Sequence, residues 1–215
     1  MLDLVTNFSY KDDRSYIHSS TMCAFLGEMV VPALGLQAVD TRMDAQFHRP
    51  ATMNGVMRCQ EAPSDMRSSP AIAAEFRLTS GTKNFYIYFI EDQKPVSNRT
   101  DTKYEIQDLK LLSPFAGSCH ININNELSFF ENIIEANKRL HQYTLNDKKI
   151  NVINLYMKKI PLGLMYQKKG MYLLNIQHIG SRSHNDGLAT INEFSFAELN
   201  LSTFQMCYSM PGVTL

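Results

Sequence analysis

Apolar side chains recur at helical spacing in two segments of the chain, residues 17–34 and 127–143. In the first segment an i, i+3, i+4, i+7 stripe is formed by Met22, Phe25, Leu26 and Met29. In the second segment the stripe comprises Phe130, Ile133, Ile134, Asn137, Leu140 and His141. A stripe with this period is typical of a helix that buries one face, so one buried helix is predicted in each half of the chain.

Alternating polar and apolar positions predict strands after each helix. Between residues 36 and 49, one face would carry Val39, Thr41, Met43, Ala45 and Phe47, which is the period of a half-buried strand. Further strands are predicted at residues 56–61, 71–79 and 84–91, and in the second half at residues 150–159, 171–179, 188–196 and 201–210. Asn54–Gly55 is predicted as a turn and residues 180–187 as a loop.

The two halves share this order of elements, which suggests an internal duplication. A shift of 110 residues places Phe47 on Met157, and a shift of 118 places Phe76 on Phe194. The polar segment 92–102 is predicted as the linker between the halves. The expected domains are therefore residues 1–95 and 103–215, each a repeat of one helix and four strands.

Composition narrows the classes of partner. The chain has 215 residues, with 21 basic and 21 acidic side chains and a formal net charge of zero. Phosphate binding needs a basic footprint, so nucleic acid is not an expected partner. Glu28 and Pro32 interrupt the longest apolar window, and the first ten residues lack a signal-peptide pattern, so a cytoplasmic location without a membrane partner is expected. Four cysteines without C-x-x-C spacing indicate reduced, buried thiols and no metal site.

Two segments resemble hotdog-fold proteins, in which a curved antiparallel sheet wraps around a central helix. Residues 18–36 followed by residues 42–50 resemble the acyl-CoA thioesterase pattern of a His-led helix, a strand ending in Phe-x-Arg-Pro and a Gly-containing turn. Residues 124–136 resemble the hydroxybenzoyl-CoA thioesterase helix, which opens with paired Asn and carries an aromatic–aromatic–Glu stretch. The resemblance implies an α+β fold, a double hotdog in which two fused repeats stand in for the usual dimer.

The resemblance also implies an acyl thioester as the substrate, carried by coenzyme A or acyl carrier protein. In such proteins the acyl chain enters a tunnel where two hotdogs meet, and backbone N–H groups at the helix start can stabilise the thioester oxyanion. Hydrolysis is the leading expectation. The alternatives are a dehydratase acting on a 3-hydroxyacyl thioester and a non-catalytic acyl-thioester binding module. No cofactor is expected beyond the coenzyme A or phosphopantetheine of the substrate, and a homodimer of double-hotdog chains is compatible with this interpretation.

His18 and Glu28 are the first catalytic candidates that the resemblance assigns. Glu28 would lie inside an apolar helix, where burial raises the pKa of a carboxyl group and suits it to general base catalysis. Ser19 and Ser20 would contact the substrate at the helix start, although the family's His-Gly-Gly is His-Ser-Ser here. The structural alternative is a His18 side chain in the capping region and a Glu28 side chain that extends into solvent.

His120 with Glu131 or Glu135 is the second candidate set. His120 and Glu135 are fifteen residues apart, near the His-to-acid spacing of hotdog dehydratases. The Asp that usually precedes the paired Asn in the thioesterases is missing, since residues 116–119 contain no carboxylate. The structural alternative is a solvated helix face on which both glutamates pair with Lys138 and Arg139.

Further candidates lie outside these two sets. His48 and Arg49, at a strand end, could meet a coenzyme A phosphate. Asn125 could contact the substrate or shape the turn into the helix. A Cys119–His120 dyad is not expected, because adjacent residues of a strand point to opposite faces. Lysine pairs spaced ten residues apart could form a basic edge for an acidic carrier protein: Lys148–Lys149, Lys158–Lys159 and Lys168–Lys169.

Overall fold

A computed structural model of the chain describes residues 1–63, 69–101, 106–123, 128–147, 149, 152–166, 169–184, 187–199 and 203–213. The chain divides into two compact units, unit 1 with residues 1–103 and unit 2 with residues 104–215. In both units an antiparallel sheet accompanies a helix that begins near one of the two predicted helix starts.

Unit 1 contains seven strands, one longer helical segment and a short 3-10 helix (Ala38–Asp40) among its described residues. The strands are β1 (Leu2–Val5), β2 (Ser9–Lys11), β3 (Thr41–Phe47), β4 (Met53–Gln60), β5 (Ile72–Ser80), β6 (Lys83–Pro95) and β7 (Asn98–Thr100). The antiparallel sheet has the order β1-β4-β6-β5-β3. The short strands β2 and β7 form a separate parallel pair. Much of the predicted linker, residues 92–102, is thus strand and belongs to unit 1, and the division between the units follows it directly.

The helical segment of unit 1 changes its winding part-way. It consists of α1 (Ser19–Phe25), a π-helical turn (Leu26–Val30) and α2 (Val31–Ala33). The Val31 N–H donates to the Leu26 carbonyl, five residues back. Pro32 supplies a physical reason, because it has no N–H and its ring would clash with the carbonyl four residues earlier in a regular helix.

Asn54 and Gly55 lie inside β4, and the predicted turn is wrong. A Cβ atom at Gly55 would lie 2.0 Å from the Ile90 carbonyl oxygen of β6, so the glycine permits close strand contact. The buried Asn54 side chain accepts a hydrogen bond from the Phe8 N–H at 2.6 Å. Both residues therefore serve long-range packing, which a local turn signal does not reveal.

Unit 2 places two strands before its helix, and the sequence pattern did not predict them. Its strands are β8 (Ile106–Ser113), β9 (Ala116–Ile123), β10 (Ile153–Pro161), β11 (Gly170–His184), β12 (Gly187–Phe196) and β13 (Phe204–Pro211). The helix α3 (Ser128–Thr144) agrees closely with the predicted one. Within the predicted loop 180–187, β11 continues to His184, which pairs with Gly187 of β12, so most of the predicted loop is strand.

The two units pair their strands differently. In unit 1 the strands that follow the helix have the order β4-β6-β5-β3. In unit 2 the corresponding order is β11-β12-β13-β10. The third and fourth strands after the helix therefore exchange places between the units. The units share the order of elements along the chain but not the complete pairing, and the duplication stays a prediction.

Candidate functional site

A buried polar cluster lies at the start of α1 in unit 1. It consists of Lys11, His18 and Ser20 and is called the His18 cluster here. The His18 Nδ1 atom lies 2.7 Å from the Ser20 Oγ atom, and the Lys11 Nζ atom donates to the same oxygen at 3.3 Å. Lys11 is 7% exposed and His18 8% exposed. A lysine is seldom buried to this extent, so its position beside a histidine marks a candidate site.

Burial also changes the electrostatics of the His18 cluster. Desolvation lowers the pKa of Lys11 to about 8, with the positive charge of Arg14 acting in the same direction and Asp12 opposing it. At neutral pH the ammonium group therefore keeps a positive charge in a poorly solvated place, where it attracts developing negative charge strongly. Sequence periodicity did not indicate Lys11, because β2 is a three-residue strand outside the predicted elements.

The Ser20 hydroxyl connects the other two members of the His18 cluster. An ammonium group only donates, so Ser20 Oγ accepts from Lys11 and keeps a second lone pair for a donor. When the His18 Nδ1–H donates to that lone pair, His18 Nε2 carries the lone pair that can take a proton. The cluster thus combines a base with a nearby cation. Ser19, the first residue of α1, is half-buried beside it.

Glu28 does not join the His18 cluster. It lies in the π-helical turn and is exposed. Ten residues of helix separate it from His18, a rise of about 15 Å. The prediction of a buried Glu28 is wrong, because the turn around Pro32 leaves residues 28 and 29 on the exposed side. The role of general base therefore loses the desolvation on which it depended.

His120 and Glu135 lie on opposite sides of the sheet of unit 2. Gly117 on β9 approaches Leu140 of α3, so the face of β9 that carries Gly117 and the buried Cys119 faces the helix. His120 is on the other face, where its Nδ1 atom lies 3.5 Å from Asp108 Oδ2. The predicted His120–Glu135 pairing is therefore wrong, since strand alternation turns the imidazole away from α3.

Of the two glutamates of α3, Glu135 forms the ion pairs with Lys138 and Arg139 that the structural alternative predicted. Glu135 forms ion pairs with Arg139 at 3.1 Å and with Lys138 at 3.9 Å. Glu131 is half-buried in the first turn of the same helix. Asn125, the substrate-binding candidate before the helix, lies outside the described residues. The half-buried Glu135 thus has its charge satisfied locally by neighbouring cations of the same helix.

His48 and Arg49 are held by neighbouring strands and loops. The His48 Nε2 atom lies 3.1 Å from Glu75 Oε1. The Arg49 guanidinium forms an ion pair with Glu91 and donates to the Pro70 carbonyl at 3.2 Å. These contacts occupy Arg49 with structural acceptors instead of presenting it to a coenzyme A phosphate. Lys148 and Lys168 lie outside the described residues, so the predicted lysine edge stays a prediction.

A second buried polar cluster occupies the core of unit 2, and no candidate residue had pointed to it. It is called the Asn137 cluster here and comprises Asn137, His141, His178, Thr190 and Asn192. Asn192 Nδ2 donates to Asn137 Oδ1 at 2.8 Å, and Asn192 Oδ1 lies 3.3 Å from His178 Nδ1. His141 Nδ1 lies 2.7 Å from the Asn137 carbonyl oxygen, and its Nε2 lies 2.7 Å from Thr190 Oγ1. The sequence signal was the presence of Asn137 and His141 in an otherwise apolar stripe.

The four cysteines, all within the described residues, are buried and form no disulfide, in agreement with the predicted reduced thiols. Desolvation raises the pKa of Cys59 and of Cys119 to about 11, which disfavours a thiolate nucleophile. Cys119 and His120 point to opposite faces of β9, so the expected absence of a dyad is confirmed for this pair. In the described ranges, no group of three His, Cys, Asp or Glu side chains could hold a metal ion. The described helices include none that is long and apolar enough to cross a membrane.

No family model and no curated protein matches the sequence. A proposed thioesterase II from Thermobifida fusca is 8% identical, with a TM-score of 0.50 over 93% of this chain and 88% of that chain. The fold is of the hotdog type. A hotdog-fold protein from Alicyclobacillus acidocaldarius is 10% identical, with a TM-score of 0.49 over 91% of this chain and 88% of that one. GphF dehydratase 1 is 11% identical, with a TM-score of 0.46 over 94% of this chain and 86% of that one.

Proposed function

We propose that this hotdog-fold chain is an acyl-thioester-processing enzyme that hydrolyses its substrate at the His18 cluster of unit 1. The observation that carries the proposal is the buried hydrogen bond between His18 and Ser20 beside the buried Lys11. A thioester on coenzyme A or acyl carrier protein is the substrate class, which the similarity to the proposed thioesterase II supports. Coenzyme A or phosphopantetheine would enter as part of the substrate.

The proposed reaction uses water as the nucleophile. His18 Nε2 takes a proton from the water as its oxygen attacks the thioester carbonyl carbon. The carbonyl oxygen becomes negative, and the Lys11 ammonium stabilises that charge in a poorly solvated setting. The carbon–sulfur bond then breaks, and the imidazolium returns the proton to the departing thiolate. The products are a carboxylic acid and a free thiol.

Hydrolysis is favoured over dehydration by the placement of the carboxylates. A dehydratase needs a histidine and an acid on the same substrate. His18 and Glu28 are separated by about 15 Å of helix, and His120 and Glu135 lie on opposite sides of their sheet. Neither predicted pair therefore provides the two groups at one site. The His18 cluster, by contrast, supplies the base and the cation that hydrolysis requires.

The test is thiol release from acetyl-, octanoyl- and palmitoyl-coenzyme A by the whole chain and by matched variants. We expect His18→Asn to lower kcat/KM by about a hundredfold or more, because general base catalysis contributes on that scale. Glu28→Gln is the matched control and should keep turnover near that of the unmodified chain. Loss of turnover in Glu28→Gln together with normal turnover in His18→Asn would overturn the site.

A non-catalytic binding module predicts a different result. In that case no thioester is consumed, but octanoyl-coenzyme A still raises the melting temperature of the chain.

We also propose that units 1 and 2 are two hotdog repeats. The shared order of one helix and four following strands supports this, whereas the exchanged strand positions argue against it. An experimental structure in which the helices and all four following strands superpose in chain order would decide the point.

A further inference from the structure

The Asn137 cluster of unit 2 is electrically neutral at its centre. A backbone carbonyl only accepts hydrogen bonds, so His141 Nδ1 carries the hydrogen that bonds the Asn137 carbonyl. Burial lowers the pKa of His141 to about 4, with the neighbouring His178 acting in the same direction. The neutral ring then accepts the Thr190 hydroxyl hydrogen at Nε2. Amide, hydroxyl and neutral imidazole groups favour an uncharged ligand, because burying a charge beside them would be costly.

One donor in this cluster is left over. Asn137 is fully buried, yet its Nδ2 atom has no hydrogen-bond partner within the described part of the chain. The other members of the cluster are each hydrogen-bonded. An unpaired buried N–H group is costly, and native proteins retain few of them without a reason. The leftover donor therefore points to an acceptor supplied from outside the chain.

Two aromatic rings lie beside the cluster. The Phe115 ring lies 5.1 Å from the His141 ring and 5.7 Å from the His178 ring, and the Tyr208 ring lies 6.2 Å from that of His141. Phe115 has a φ of 56°, a strained conformation for a bulky residue. The strain places an apolar ring beside the polar groups, so the cluster has both a hydrogen-bonding end and an apolar wall.

His178 provides the link between this core and the surface. It is half-buried, while Asn137, His141, Thr190 and Asn192 are buried. The pairing of β11 with β12 shifts register between His178 and Gly180. Bulges of this kind redirect side chains and are common beside functional sites. Asn192 contacts both His178 and Asn137, so His178 is joined to the buried amide of Asn137 through one side chain.

We propose that unit 2 binds an uncharged aliphatic carbonyl compound, a ketone or an ester, whose carbonyl oxygen accepts a hydrogen bond from Asn137 Nδ2. The neutral cluster selects against charged groups, the leftover amide donor requires an acceptor, and the aromatic wall packs against an aliphatic chain. This site is separate from the His18 cluster and does not depend on the hydrolase proposal.

Methyl heptyl ketone is the probe for the test, in proton–nitrogen NMR spectra of the labelled full chain. We expect saturable shifts of the Asn137 side-chain amide signals. Asn137→Leu removes the donor at similar volume. It should raise the dissociation constant of the ketone about tenfold, because the loss of one hydrogen bond weakens binding by about that factor. Asn154→Leu is the matched control, because Asn154 also has buried side-chain atoms without partners among the described residues. It should bind the ketone normally.

Two results would overturn the proposal. One is an absence of saturable shifts at the Asn137 amide in the unmodified chain, which would leave solvent water as its partner. The other is equal ketone affinity in Asn137→Leu and the unmodified chain. If Asn137→Leu does not fold, the proposal is decided by whether the ketone shifts the Asn137 side-chain amide signals of the unmodified chain. The variant His18→Asn should bind the ketone unchanged, so failure of the hydrolase proposal can be distinguished from failure of this one.

Discussion

The Nε2 atom of His141 on α3 lies 2.7 Å from the Oγ1 atom of Thr190 on β12, and both side chains are fully buried. This contact joins residues that are 49 positions apart in the sequence. The Asn137 carbonyl accepts from the opposite ring nitrogen, and burial lowers the pKa of His141 to about 4, so near neutral pH the Nε2 atom accepts the Thr190 hydroxyl hydrogen. The folded state of unit 2 is therefore coupled to the protonation of one histidine.

We predict that this coupling makes stability fall in mild acid. The folded-state pKa of His141 is about 4, whereas the unfolded chain takes up the same proton near its ordinary value of 6.5. Between those values the unfolded state binds more protons, so the free energy of unfolding falls as pH decreases, by about 3 kcal/mol in total. Urea unfolding at intervals over this range measures the fall.

Two variants separate His141 from other titrating groups. His141→Gln should lose most of that pH dependence, because it has no proton to bind. His120→Gln, which changes a partly exposed histidine on the other sheet face, should retain it. An equal slope in His141→Gln and the unmodified chain would show that another group causes the fall.

The sequence pattern predicted those elements whose burial is periodic, and it failed where tertiary contacts decide. Helix α3 and the alternating residues of β3 were found because one face of each is apolar. The Asn137 cluster was missed, because its hydrogen bonds cross from α3 to strands about 50 residues away. Gly55 was read as a turn residue, because a local pattern does not reveal the approach of Ile90.

The sequence predicted only part of the candidate site, because tertiary contacts also decide which of its residues are buried. His18 was found through the resemblance to a His-led hotdog helix, and the structure does bury it at the start of α1. Lys11 was not found, since three residues of strand carry no period and its burial comes from distant contacts. Glu28 was misplaced because a stripe read at 3.6 residues per turn does not anticipate the π-helical turn around Pro32.

We predict that Lys11→Met flattens the pH dependence of stability on the alkaline side. The folded-state pKa of Lys11 is about 8, below its ordinary value of 10.5. The unfolded chain binds the additional proton between these values, so the free energy of unfolding rises by about 3 kcal/mol as pH increases across them. The measured quantity is the difference in unfolding free energy between Lys11→Met and the unmodified chain at each pH.

Lys83→Met is the control, since Lys83 is exposed on β6. Its curve should run parallel to that of the unmodified chain from pH 8 to 10.5, the values that bound the Lys11 transition. If Lys11→Met also runs parallel, the lysine is better solvated than its burial indicates. In thioester assays, the proposed hydrolase additionally requires Lys11→Met to lower kcat more than it raises KM.

Gly55→Ala is expected to destabilise unit 1 by about 3 kcal/mol, as substitutions that displace buried backbone do. The added Cβ atom would lie 2.0 Å from the Ile90 carbonyl oxygen, so β4 and β6 would have to separate. Gly180→Ala is the matched control, because a Cβ atom there meets no atom within 4 Å. Chemical unfolding should place Gly180→Ala within about 1 kcal/mol of the unmodified chain; equal stabilities of the two variants would contradict the close approach.

Arg49 is expected to act on stability and not on coenzyme A binding. Glu91 accepts the backbone N–H groups of Thr52 at 2.5 Å and Met53 at 2.8 Å, and it pairs with the Arg49 guanidinium. Glu91→Ala should lower the free energy of unfolding by about 2 kcal/mol, because it leaves two backbone donors without their acceptor. Arg49→Gln should lower it by less, because Glu91 still accepts both backbone N–H groups. If the chain hydrolyses thioesters, Arg49→Gln should change KM equally for octanoyl-coenzyme A and octanoyl-pantetheine. A rise in KM confined to the coenzyme A substrate would instead place a phosphate on Arg49.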